Sequence, residues 1–65
     1  MNGTKTILKD RRVSDVEFPP DSDYKFFVYL KPGWHWAGYG TTARGFHNVR
    51  DFLEMRYKIE RGDPQ

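Results

Sequence analysis

Residues 24–31 carry the clearest periodicity in the chain. Tyr24, Phe26, Val28 and Leu30 point one way, and Lys25, Phe27, Tyr29 and Lys31 the other, the two-residue period of a β-strand. Pro32-Gly33 follows as a reversal, because Pro fixes φ at the first turn position and Gly accepts the positive φ that a type II turn needs at the next. Residues 34–40 read as the returning strand, giving a central hairpin over 24–40. Upstream, residues 13–18 alternate loosely and stop at Pro19-Pro20, where two missing N–H groups cannot extend a ladder. Residues 4–9 give a weak strand signal around Ile7-Leu8, within an N-terminal segment, 1–12, expected to be loosely held.

The period changes after residue 45. Asn48 is a good helix N-cap, and Asp51 three residues on favours the helix's positive end. At about 100° per residue, Val49, Phe52, Leu53, Met55, Tyr57 and Ile59 share one arc, with Arg50, Asp51, Glu54, Lys58 and Arg61 opposite. A C-terminal helix over about 48–61 follows, with Gly62 at its end, Pro64 as a stop and 62–65 as a flexible tail. The competing assignment is that residues 56–61, which also alternate, peel off as a short strand. Arg56 falls inside the apolar arc and needs a carboxylate; Asp15 or Glu17 is the expected partner. These elements predict one α+β domain over 1–65, a small antiparallel sheet of two to four strands packed by one C-terminal helix.

Composition narrows the chemistry. A chain of 65 residues is near the lower limit for a single core, and without cysteine it has neither a disulfide framework nor a thiolate site. Aromatics, at 17%, must supply much of the buried area. The longest apolar run, residues 26–30, is far too short for a membrane span, and the first residues lack the apolar stretch of a signal peptide, so a cytoplasmic protein is expected. The Asn2-Gly3-Thr4 sequon is then a chance match. The net charge of +2 is unevenly spread: residues 1–12 carry +3, 13–23 carry −4, 24–50 carry +4 without a single acid, and 51–65 carry −1.

Pairing Lys31 with Trp34 across the turn would set Tyr29 against Trp36 and Phe27 against Gly38. One hairpin face would then show Lys25, Phe27, Tyr29, Lys31, Trp34 and Trp36. The other, with Phe26, Val28, Leu30, Ala37 and Tyr39, would be the floor for the helix. An aromatic and basic surface left uncovered has three readings. Trp, Tyr and Arg are the preferred anchors of protein interfaces, which points to a protein partner met by Tyr29, Lys31, Trp34, His35, Trp36 and Arg44. Alternatively Lys25, Phe27, Tyr29 and Lys31 would hold single-stranded nucleic acid by stacking. Residues 24–29 echo the aromatic strands of RNA-recognition sheets, without several glycines of that pattern. The third reading is a homodimer that buries the aromatic face, or simply a core.

Other chemistry is thin. Gly40 and Gly45 have the spacing of a phosphate-binding loop, but Phe46-His47 stands where that motif needs Lys and a hydroxyl. His35 and His47 lack further ligands at metal-binding spacing and a marked nucleophile, so no metal, no cofactor and no catalytic residue is expected. The chain therefore reads as a small non-enzymatic regulator or inhibitor that occupies a partner's surface, a build that phages and mobile elements often encode.

Overall fold

A computed structural model of the chain describes residues 2–38 and 40–62. The element order is α1 (Asn2–Leu8), β1 (Val13–Glu17), β2 (Phe26–Leu30), β3 (Trp34–Trp36), β4 (Ala43–Phe46), α2 (Val49–Met55), a 3₁₀ turn (Arg56–Lys58) and β5 (Ile59–Arg61). The strands form two antiparallel sheets, one of three strands in the order β1-β2-β4 and a ribbon of β3 with β5. The α+β class and the C-terminal helix match the expectation from the alternation.

The strand partners do not. Trp34 N–H donates to the Lys31 carbonyl at 3.1 Å, and Gly33 has φ +93°, so the turn forms where Pro32-Gly33 predicts it. A type II turn, however, splays the strands that flank it. The 24–40 hairpin does not close. β2 pairs instead with β1, Val16 opposite Val28 and Glu17 opposite Phe27, and with β4, Phe26 opposite Phe46 and Val28 opposite Arg44. β3 finds β5, with Trp34 opposite Arg61 and Trp36 opposite Ile59.

Both ends of the chain depart from the expected elements. Residues 4–9 do not form a strand: a short helix carries Ile7, 1% exposed, into the core against β1 and α2. A helix of this length is marginal alone, so it is the packing of Ile7 that holds it. At the other end Asn48 caps α2 as expected, its Oδ1 accepting the Asp51 N–H at 2.9 Å. The helix stops at Met55, not near 61, and the alternating tail becomes β5. β-Branched Ile59 reaches the core from β5, whereas Tyr57, placed on the apolar arc by a longer helix, is 73% exposed. Pro64 and Tyr39 lie outside the described residues.

Among the described residues, nine buried side chains make the core: Ile7, Val13, Phe26, Val28, Leu30, Trp36, Phe46, Phe52 and Ile59. Its centre is aromatic. Trp36 lies 5.4 Å from Phe46 and 6.2 Å from Phe52, and Phe46 and Phe52 meet edge to face at 5.7 Å. Such offset and edge contacts suit the charge distribution of aromatic rings better than face-to-face stacking. The inward face of β2 is the one its alternation marks: Phe26, Val28 and Leu30 are buried, Phe27 and Tyr29 only partly.

Candidate functional site

The uncovered face of the three-stranded sheet follows from register. On its outer side, Glu17, Phe27 and Gly45 form one row across the strands, and Asp15, Tyr29 and Ala43 the next. Each row runs from a carboxylate through an aromatic ring to a small residue. The helices send Ile7 and Phe52 into the core with Val28 and Phe46, and β3 and β5 lie in the other sheet. The Tyr29 hydroxyl donates to Glu17 Oε1 at 2.9 Å, and this bond to an anion raises the phenol's pKa above its ordinary value.

Tyr24 joins this face, although strict alternation would place it with Phe26. Its N–H donates to Ser22 Oγ just before β2 begins, and its ring turns over the sheet. There it meets Phe27 edge to face at 5.6 Å and stacks on His47 at 5.2 Å. A Cβ on Gly45 would stand inside the Tyr24 ring, so the glycine is what lets the ring lie flat on β4. Tyr24, Phe27, Thr41, Ala43, Arg44 and Gly45 line an open concavity of about 380 Å³. Gly45 inside a strand was the available signal for this close approach, but in a Gly-flanked stretch it reads as loop.

The six residues expected to meet a partner are not brought together. Trp36 is 0% exposed at the centre of the core, and in this fold its ring cannot touch another molecule. Its buried indole N–H has no hydrogen-bond partner among the described residues. Arg44 lies opposite Val28 on the covered side, its guanidinium over Trp36 at 6.0 Å and Phe46 at 5.4 Å. His35 is on the far side of the β3–β5 ribbon, Nδ1 3.1 Å from the Gly62 carbonyl and Nε2 3.6 Å from Glu60 Oε1. Tyr29 stays on the open sheet face, while Lys31 and Trp34 sit at the end of the sheet. These six residues would share a face only with β3 beside β2, and β3 pairs with β5 instead.

The four residues of the nucleic-acid reading do share the outer side of β2 or its ends. Phe27 and Tyr29 are partly buried, and Lys25 and Lys31 are exposed just beyond the strand, about 20 Å apart at strand spacing. Glu17 stands directly beside Phe27 and Asp15 beside Tyr29, so a phosphate backbone crossing this face would meet two carboxylates. Arg56 is exposed, and the carboxyl whose charge it stabilises is Asp10, not Asp15 or Glu17.

One basic cluster emerges that the linear charge count does not show. Lys31 N–H donates to the Arg12 carbonyl at 2.8 Å, and Gly62 N–H donates to the Gly33 carbonyl at 2.7 Å. These bonds set the backbones of Arg12, Lys31 and Arg61 beside that of Trp34, whose ring has the Arg12 guanidinium at 5.8 Å and that of Arg61 at 5.6 Å. Arg12 grips Asp10 through two side-chain bonds of 2.9 and 2.7 Å, which hold the Asp10 carboxyl below its usual pKa. Among the described residues no group of three or more side chains could hold a metal ion, and no helix is long and apolar enough to cross a membrane. Comparison with protein-family models, characterised proteins and solved structures finds no match to this chain.

Proposed function

We propose that the chain is a small cytoplasmic, non-enzymatic binding protein that regulates or inhibits a protein partner by occupying part of its surface. The observation that supports this reading is the open sheet face, where Tyr24, Phe27 and Tyr29 lie together on a rigid antiparallel support. Large rings fixed by strand pairing lose little conformational entropy on binding, which is why Tyr and other aromatics serve as interface anchors. The beta-sheet presents them over a concavity floored by Ala43 and Gly45, a shape that can receive a protruding side chain. Protein is favoured over nucleic acid because Asp15 and Glu17 border the same rings.

The test is affinity capture from lysate of the source cells, with nuclease, using the native chain beside Phe27→Ser. A protein band that survives nuclease and is lost with Phe27→Ser is the expected result. Capture that vanishes with nuclease transfers the face to nucleic acid. A native chain that sediments as a dimer, and as a monomer once Phe27 is replaced, assigns the face to a second copy.

A further inference from the structure

Arg12 and Arg61 stand over the same indole at nearly the same distance, yet their electrostatic situations differ. Arg12 holds the Asp10 carboxylate through both its Nε and Nη2 atoms. Arg61 has no carboxylate partner among the described residues, and neither does Lys31. Glu60, next to Arg61 in sequence, points to the opposite side of the ribbon, toward His35. Arg61 and Lys31 are both exposed, and Arg11 is exposed in the turn that carries Arg12.

We infer that this end of the molecule, Trp34 with Arg12, Lys31 and Arg61, binds an acidic segment of a protein partner, whose carboxylates are received by Arg61 and Lys31. The Asp10–Arg12 pair already shows how a carboxylate is taken here. A planar guanidinium fixed on an aromatic ring offers two parallel N–H donors, a geometry that matches a carboxylate better than a mobile ammonium does. Trp34 packs against the core from one side, so the cations it carries are pre-positioned by the fold. An acidic protein segment fits better than a nucleic acid for two reasons. With two guanidinium groups over it, the indole is not a free platform for a base. Three or four clustered cations would also give only modest phosphate neutralisation. The surface centres on Trp34 and shares none of Tyr24, Phe27 and Tyr29 with the open sheet face, so its failure would leave that face untouched.

The experiment is fluorescence anisotropy of a labelled oligoglutamate peptide titrated with the full chain, with an oligothymidylate of matching charge as the competing probe. The double variant Lys31→Glu with Arg61→Glu should weaken peptide binding by about tenfold or more. Lys25→Glu with Arg50→Glu makes the same change in net charge elsewhere and should weaken it by less than about twofold. Arg61→Gln, which keeps the stem on Trp34, should cost about threefold with the far-ultraviolet circular dichroism unchanged. The inference is overturned by the absence of saturable peptide binding, by equal losses in the two double variants, or by tighter binding of the oligothymidylate.

Discussion

The two faces of the β1-β2-β4 sheet are built from the same few strands and are chemically opposite. On the covered face, Phe26, Val28, Leu30 and Phe46 are buried, with Trp36 and Phe52 packed against Phe46 through tilted and edge-to-face contacts. On the open face, Phe27 and Tyr29 keep part of their rings in solvent beside two carboxylates. Along β2 both faces carry large apolar groups, Phe27 and Tyr29 on one and Phe26, Val28 and Leu30 on the other. What separates them is where the chain sends Ile7, Trp36, Phe52 and Ile59, all of which go to one side. A chain of 65 residues has enough apolar material to bury one face well. The aromatic content of the other is then left only partly covered.

The difference between the faces can be broken from either side. The largest effect is expected for Trp36→Ala, which removes the central ring of the covered face. Large-to-small changes of this kind cost about 3–5 kcal/mol, comparable with the whole stability of a domain this size. Denaturant unfolding followed by circular dichroism should find the variant largely unfolded in water. Gly45→Ala comes next. Its methyl group would drive the Tyr24 ring off the sheet, at a cost of about 1–3 kcal/mol. Combining it with Tyr24→Ala should recover part of that loss, and a double-mutant cycle checks the coupling.

Asp10→Asn is smaller, about 1 kcal/mol, because the bidentate pair with Arg12 is only partly shielded from water. It has a pH signature. Arg12 depresses the folded pKa of Asp10 below the ordinary value of 3.8, so the contribution is complete above that value and is lost as pH falls through the folded pKa. The native chain should therefore lose stability on the acid side of pH 3.8 more steeply than Asp10→Asn does, as read from thermal midpoints across that range.

Local signals in the chain were legible and long-range pairings were not. The alternation of Phe26, Val28 and Leu30, the Pro32-Gly33 turn and the Asn48 cap each depend on residues a few positions apart, and each is found in the structure. Which strand lies beside β2 depends on Val13–Glu17 and Ala43–Phe46, each separated from it by an intervening connection rather than by a tight turn. Nothing local in β3 reveals that its partner is Ile59–Arg61. That one pairing moves Trp36 from an expected surface to the centre of the core. It also gathers Trp34 and Arg61, 27 positions apart, into a cluster that no linear charge count contains. Short elements are the other source of difference: α1 is seven residues long, and its sequence signal is too weak to outweigh the packing of Ile7.

The division of labour between the two faces is tested most directly by equilibrium unfolding of Phe27→Ser beside Trp36→Ala. Phe27 belongs to the open face, so its replacement should lower the unfolding free energy by less than about 1 kcal/mol, with an unchanged denaturant slope. If Phe27→Ser instead unfolds the chain as Trp36→Ala does, the open face is part of what holds the fold together, and its assignment as a binding surface is contradicted.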